Sequence, residues 1–195
     1  MKTKHLAWLA LALILAEMVL VLLSWLLAAT MTEGVRSLLS SEGIRWFFGS
    51  FVSQQASPWL VWLLLLSMSV GNLSQSGLLS RTVASGYRRR MAVGLSVGVL
   101  VVYVGVVLAL TLLPHAQLLS ATGRLFPSAF SRALVPIVTF GILLSSTVYG
   151  WASGRFATFA DVFRSMAYGV QAAAPLFVLY VLIVQFVQSL HFVFM

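Results

Sequence analysis

The stretch LAWLALALILAEMVLVLLSWLLAA, residues Leu6–Ala29, decides the fold class of this chain. A helix needs about 20 predominantly apolar residues to cross the hydrocarbon core of a bilayer, and this run is long enough. It is longer than the apolar region of a cleaved signal peptide, which is about 7–15 residues, and no small-x-small cleavage site closes it. We therefore expect an uncleaved first transmembrane helix.

Glu17 lies near the middle of this stretch and is the one acidic residue inside any predicted span. A carboxylate at bilayer depth costs about 2.5–3.5 kcal/mol on insertion scales, so it normally faces a partner, a cavity or a transport path. Glu17 could be a proton or cation site, the partner of a basic group, or a buried interhelical hydrogen bond. No Lys, Arg or His lies at mid-depth in another predicted span, which disfavours a buried ion pair within one chain.

The composition of the whole chain indicates a polytopic membrane protein. Of its residues, 61% are hydrophobic and 8% are charged, and the mean hydropathy is +1.02. We attribute the net charge of +8 to basic loops that face anionic lipids, not to nucleic-acid binding. The chain has no cysteine, its three histidines are far apart, and it shows no nucleophile–base pair or phosphate loop. We therefore expect no enzymatic activity, no metal and no cofactor.

Five apolar runs predict an all-α architecture, because the hydrocarbon core offers no partner for exposed backbone groups. The predicted spans are Leu6–Ala29, Pro58–Leu79, Met91–Leu113, Ala133–Ala152 and Ala167–Phe192. The chain has no linker, no low-complexity tract and no convincing internal repeat. One transmembrane domain over residues 1–195 is the expectation.

The charges in the loops predict an N-in, C-out orientation by the positive-inside rule. Eight basic residues fall on the side that this orientation places in the cytoplasm: Lys2, Lys4, Arg81, Arg88, Arg89, Arg90, Arg155 and Arg164. Four fall on the outer side: Arg36, Arg45, Arg124 and Arg132. We interpret Arg88, Arg89 and Arg90 as the strongest topology anchor, in contact with lipid headgroups.

Two loops are longer than a simple turn. Leu38–Val52 predicts an outer amphipathic helix that lies on or dips into the interface, with Ser40 or Ser41 as its N-cap and Trp46 at headgroup level. Pro114–Arg132 contains a glycine and a proline as turn signals and predicts a short, ordered surface loop.

Polar side chains and small residues inside the spans are the remaining candidates for function. The amides and hydroxyls that we consider lie in spans two and five: Asn72, Ser74, Gln75, Gln171, Gln185 and Gln188. Such groups commonly bridge helices for about 0.6–2 kcal/mol each, so packing is the first interpretation of any one of them. Gly94 and Gly98 form a GxxxG pattern that permits close helix approach and gives weak support for dimerisation. Pro136 and Pro175 predict kinks or, alternatively, broken helices that bind a substrate or ion.

Several strings are similar to the p-aminobenzoyl-glutamate transporter (AbgT) family. They occur in family order and cover most of the chain: LLSSEGIRWFFGSFV (Leu38–Val52), VGNLSQSGLL (Val70–Leu79), LLPHAQLLSATGRLFPSAF (Leu112–Phe130), VPIVTFGILLSSTVYGWASG (Val135–Gly154), DVFRSMAYGV (Asp161–Val170) and QFV (Gln185–Val187). The resemblance implies descent from secondary transporters that form dimers and carry aminobenzoyl-glutamate or related compounds.

The resemblance also implies that two blocks of the family pattern are absent. After Ser76–Arg81 the family continues into a re-entrant hairpin with an Asp-Ala-Gly-Tyr motif, whereas this chain passes into Gly86–Leu95, which is similar to a much later family segment. A second hairpin would follow Ser189–Met195. We therefore expect an internally deleted and C-terminally shortened relative.

Single positions also depart from the family pattern, and they too affect the part of the pattern associated with transport. Ser74 stands where the resemblance places a Glu, and Gln75 where it places a Lys. Gln185 keeps the family's own Gln, but the Asn-Trp-Ser-Asn that follows is replaced by HFVF at residues 191–194. Glu17 occupies a position where an apolar residue is expected.

Two functional hypotheses follow. The first is a scaffold or oligomerisation subunit of the AbgT type in the bacterial inner membrane, which assembles with itself or with another membrane protein and has no transport cycle of its own. The second is a reduced secondary transporter of small anionic compounds such as p-aminobenzoyl-glutamate, which works as an oligomer with Glu17, Asn72 and Gln185 along the substrate or ion path. Both place the chain in a lipid bilayer, and neither involves nucleic acid.

Overall fold

The computed structural model describes residues 2–30, 34–79, 86–112 and 129–195. These residues form six helices: α1 (Lys2–Ala29), α2 (Ser41–Gln55), α3 (Pro58–Ser76), α4 (Tyr87–Leu112), α5 (Ala129–Ser153) and α6 (Phe159–Phe194). No strand occurs in these ranges, and the all-α prediction is confirmed. Of the predicted loop Pro114–Arg132, positions 114–128 with Gly123 and Pro127 lie outside the described residues, as does Arg81.

Four of the helices, α1, α4, α5 and α6, are long and apolar enough to cross a membrane. Helices α2 and α3 pass the same test together as one span bent by 44°, which brings the number to five. The predicted membrane class is therefore confirmed, with four or five spans by length and composition. The N-in, C-out orientation stays a prediction.

The ends of α2 and α3 follow from local chemistry. Ser40 has an extended backbone, and its Oγ accepts a hydrogen bond of 3.0 Å from the backbone N–H of Gly43. This bond satisfies one of the amide groups left free at the start of α2, as expected for an N-cap serine. Helix α3 stops at Ser76, before the predicted limit of Leu79, because Gly77 adopts a left-handed φ of 78°.

Helix α6 starts earlier than the predicted span. It begins at Phe159, not at Ala167, and its 36 residues extend about 54 Å at 1.5 Å per residue. The hydrocarbon core is only about 30 Å thick, so this helix reaches beyond it. Pro136 lies inside α5 and Pro175 inside α6, and both helices continue through their proline.

The chain divides into two compact units. Unit 1 comprises residues 1–61 and 174–195, and unit 2 comprises residues 62–173. Helices α1 and α2 and the C-terminal part of α6 therefore belong to unit 1. Most of α3, all of α4 and α5, and the N-terminal part of α6 belong to unit 2. One transmembrane domain over the whole chain stays a prediction.

Unit 1 has a small apolar core, and α2 packs along α6. The buried members of this core are Leu20, Leu38, Phe192 and Val193. Trp46 stacks on Phe192 with 4.4 Å between ring centroids. Further along α2, Gln55 donates from Nε2 to the carbonyl oxygen of Val181 at 3.3 Å. The two helices are therefore antiparallel. That Trp46 lies at headgroup level stays a prediction.

Unit 2 is held by close helix crossings. Gly71 of α3 and Gly169 of α6 face each other, and a Cβ at either position would overlap the backbone of the other helix. Helix α4 packs against α5. The Tyr103 hydroxyl on α4 donates to the carbonyl oxygen of Ile137 on α5 at 2.8 Å.

Candidate functional site

Glu17 forms a hydrogen-bonded cluster with two side chains of α6. The Ser189 Oγ–H donates to Glu17 Oε1 at 2.6 Å, and Gln185 Nε2 donates to Ser189 Oγ at 3.3 Å. Gln185 and Ser189 are four residues apart and so share one face of α6. Ser189 is fully buried and Gln185 is 7% exposed. The structure therefore brings together two of the three predicted path residues, Glu17 and Gln185, through a serine that the sequence analysis did not single out.

The cluster contains more acceptors than donors. Glu17 Oε2 and Gln185 Oε1 are both buried, and neither has a hydrogen-bond partner among the described residues. The Ser189 hydroxyl already donates to Glu17 and accepts from Gln185, so it has no hydrogen left for either oxygen. Each of these two oxygens could still accept a hydrogen bond from a donor group, and the carboxylate oxygen could also take up a proton.

Glu17 has no basic partner in the described part of the chain. The two ion pairs found there are Arg36 with Glu42 at 3.8 Å and Arg164 with Asp161 at 3.9 Å. Of the three interpretations of Glu17, the interhelical hydrogen bond is present, and it leaves the second carboxylate oxygen unused.

Asn72, the third predicted path residue, is in unit 2 and fully buried. Its Nδ2 donates to Ser146 Oγ and Thr147 Oγ1, each at 2.8 Å, and to the carbonyl oxygen of Leu143 at 3.2 Å. Its Oδ1 accepts a bond of 2.5 Å from the Ser165 hydroxyl. One amide thus joins α3 to α5 and α6 and has both of its polar atoms occupied. That Asn72 lines a path stays a prediction.

Three of the remaining polar candidates are Ser74, Gln75 and Gln188. Ser74 Oγ donates to the carbonyl oxygen of Gly71 within its own helix at 2.8 Å. The carbonyl oxygen of Gln75 accepts from Arg155 Nη1 at 3.3 Å. Gln188 lines an outward cavity of about 390 Å³ in unit 1, together with Arg36 and His191.

The predicted topology anchors lie at the start of α4. Arg88 donates from Nε to the carbonyl oxygen of Ala152, near the end of α5, at 3.4 Å. Arg89 and Arg90 line a cavity on the surface of unit 2. Since α4 begins where α5 ends, all three arginines lie at one end of these helices. Their role as anchors stays a prediction.

Sequence reasoning missed several polar ties between helices. Ser24 accepts a hydrogen bond from the backbone N–H of Leu38 at 3.1 Å, which fixes the segment before α2 against α1. Ser96 Oγ lies 2.7 Å from Ser145 Oγ and joins α4 to α5. A single serine or tyrosine in an apolar run indicates that such a bond is present, but the sequence does not show which residue is its partner.

These observations define the class of the molecule: an all-α, multi-pass membrane protein whose buried polar groups mostly bridge helices. The model of the AbgT putative transporter family matches residues 90–195, which is more than half of the chain. The chain belongs to the AbgT transporter family, as the sequence resemblance implied. No curated protein and no solved structure matches it. The similar strings before residue 90, Leu38–Val52 and Val70–Leu79, lie outside the matched range and remain a resemblance.

Proposed function

We propose that this AbgT family member is a scaffold-type subunit of the bacterial inner membrane that assembles with itself or with another membrane protein and has no transport cycle of its own. The observation that carries the proposal is the Asn72 amide, which is fully buried and has both polar atoms bonded across α3, α5 and α6. A polar group used in this way holds helices together, and both of its polar atoms are already engaged by the protein.

The other polar ties of unit 2 support the same function. Ser96 bonds Ser145, and Tyr103 bonds the carbonyl oxygen of Ile137, so α4 and α5 are joined at two levels. Interhelical hydrogen bonds of this kind contribute about 0.6–2 kcal/mol each. Alternating access requires one bundle to move against another around a substrate site. With its helices joined in this way, unit 2 has the features of the bundle that stays fixed in such a cycle.

The surface of α4 offers a place for assembly. Gly94 and Gly98 have open space where a Cβ would project, and they line a shallow apolar groove of about 420 Å³ with Val102 and Leu144. Small residues let the backbone of a second helix approach closely, and membrane helices associate through such faces. A second copy of α4 is the simplest occupant for a homo-oligomer.

The experiment that tests this function measures assembly and transport on the same purified chain. We expect a stable dimer or a co-purifying membrane protein in mild detergent, measured by light scattering with size-exclusion chromatography. We expect no uptake of p-aminobenzoyl-glutamate into proteoliposomes above protein-free vesicles. A monomer that gives robust uptake would contradict the proposal.

A reduced secondary transporter is the second candidate, and the Glu17 cluster favours it. Glu17 Oε2 and Gln185 Oε1 are buried acceptors without donors, unlike the satisfied Asn72. Intramembrane carboxylates in such settings commonly mark proton or ion paths. This function predicts uptake of a small anionic compound such as p-aminobenzoyl-glutamate by the oligomer. Glu17→Gln would abolish that uptake and leave the oligomer intact, whereas loss of the oligomer in this variant would contradict a transport role.

A further inference from the structure

One end of unit 2 carries a basic cavity next to the Asn72 cluster. Arg155, which follows the end of α5, donates to the carbonyl oxygen of Gln75 near the end of α3. Asp161 in the first turn of α6 lines the same cavity. The cavity has a volume of about 440 Å³ and is lined by Gln75, Arg155, Phe156, Asp161, Arg164, Ser165 and Tyr168. The Ser165 hydroxyl also bonds Asn72 Oδ1. Ligand sites commonly measure about 300–1,000 Å³, so the cavity is large enough for a small polar group.

Two arginines at this end, Arg155 and Arg88, are held by hydrogen bonds to backbone carbonyl oxygens and not by carboxylate groups. The Arg155 side chain lies over Gly77, where a Cβ would come 2.9 Å from its Cζ and Nε atoms. The Arg88 guanidinium lies over Gly154 in the same way, with Nη2 2.5 Å from the Cβ position. Both glycines have left-handed φ values and follow the ends of α3 and α5. Each arginine thus donates to a carbonyl oxygen near the end of a helix, where the helix dipole favours a cation.

The single carboxylate of the cavity is already occupied. Asp161 Oδ2 accepts from the backbone N–H groups of Ala157 and Thr158, at 3.0 and 2.9 Å, and from the Thr158 hydroxyl at 3.1 Å. Its Oδ1 lies 3.9 Å from Arg164 Nη1, and the Arg164 side chain is 80% exposed. Asp161 therefore caps the start of α6 and offsets only one of the two cavity arginines, Arg155 and Arg164. The cavity keeps a net positive charge.

Aromatic side chains also lie at this end of unit 2. Trp151 and Phe159 pack edge to face with 5.1 Å between ring centroids, and Tyr168 is half exposed at the cavity wall. Trp and Tyr concentrate at membrane–water interfaces, and basic pockets between membrane helices bind the headgroups of anionic lipids. We propose that Arg155 and Arg164 bind the phosphate of an anionic phospholipid, such as phosphatidylglycerol, with the aromatic side chains against its glycerol and upper acyl chains.

The test is lipid binding to the full chain in detergent, measured by native mass spectrometry with phosphatidylglycerol, phosphatidylcholine and inorganic phosphate as separate probes. We expect a preference for phosphatidylglycerol over phosphatidylcholine that falls about fivefold in Arg164→Gln and about thirtyfold in the double variant with Arg155→Gln. Arg45→Gln, which removes an exposed arginine of α2, is the matched control and should keep the preference.

Three results would overturn the proposal. The first is the absence of a preference for phosphatidylglycerol in the unmodified chain. The second is an unchanged preference in the double variant. The third is displacement of the lipid by inorganic phosphate at equal concentration, which would indicate a site for free anions. Arg155→Gln could disturb the end of α3, because Arg155 bonds the Gln75 carbonyl oxygen. In that case the lipid preference of Arg164→Gln alone decides the test, since the exposed Arg164 side chain can be replaced without a change in the fold.

Discussion

Glu17 and Ser189 join the first and last described helices of the chain through a hydrogen bond of 2.6 Å between residues 172 positions apart. The bond ties α1 to α6 within unit 1 and accounts for the placement of an acid in an otherwise apolar helix. It uses one carboxylate oxygen and leaves the other buried without a donor.

Ser189→Ala should destabilise the protein more than Glu17→Gln. The first variant leaves the Glu17 carboxyl group without its only described donor, and an unsatisfied buried polar group costs about 1–3 kcal/mol. The second variant keeps the size and the acceptor and adds an amide N–H₂ to a cluster that lacks donors. Thermal unfolding in detergent measures both. We expect a lower Tm for Ser189→Ala and an unchanged or higher Tm for Glu17→Gln, and the reverse order would contradict the described cluster.

Asn72→Ala should be more destabilising than Ser74→Ala, although the two residues are neighbours on α3. Asn72 bonds four groups on α5 and α6, whereas the Ser74 hydroxyl bonds only its own helix. Ser146, Thr147 and Ser165 also bond carbonyl oxygens of their own helices, so loss of the Asn72 amide removes the bonds between helices and leaves a cavity. We expect a decrease of about 2 kcal/mol in the free energy of unfolding. The measurement is denaturant unfolding followed by circular dichroism. Equal effects of the two variants would show that Asn72 does not hold the helices together.

The sequence predicted the helices well for a physical reason. A run of about 20 apolar residues has one stable solution in a bilayer, so span positions could be read directly. The N-cap at Ser40 could also be predicted, because it depends only on neighbouring residues. The limits of α3 and α6 were less accurate, because a left-handed Gly77 stops one helix and the capping Asp161 extends the other beyond its apolar part.

The contacts of the candidate site could be predicted only in part. Glu17 and Gln185 were identified because polar residues are rare in spans, but a helix that is apolar all round has no periodicity to show which face meets a neighbour. Ser189 and Ser24 were therefore missed, although each provides the bond that its partner needs. Partner choice depends on tertiary packing, which a single sequence does not display.

Tyr180→Phe should loosen α2 from α6. The Tyr180 hydroxyl donates to the carbonyl oxygen of Gln55 at 3.0 Å, so the Ser57 hydroxyl, 2.6 Å away, must donate to it. We expect faster proteolysis between α2 and α3 in the variant, with a loss of about 1 kcal/mol of stability. Tyr87→Phe is the matched control, because Tyr87 is 84% exposed. Identical cleavage rates in the two variants would contradict the role of Tyr180.

Gly169→Ala and Gly98→Ala should separate folding from assembly. At Gly169 a Cβ would overlap the Ser67 carbonyl oxygen and the backbone of Gly71, so α3 and α6 would have to move apart and the variant should lose stability or fail to fold. At Gly98 a Cβ meets open space, so the folded chain should keep its Tm. If α4 pairs with a second copy through its small residues, the methyl group of Gly98→Ala would prevent the close approach. Light scattering in detergent should then show a monomer of normal stability, whereas a dimer that survives the substitution would place the assembly surface elsewhere.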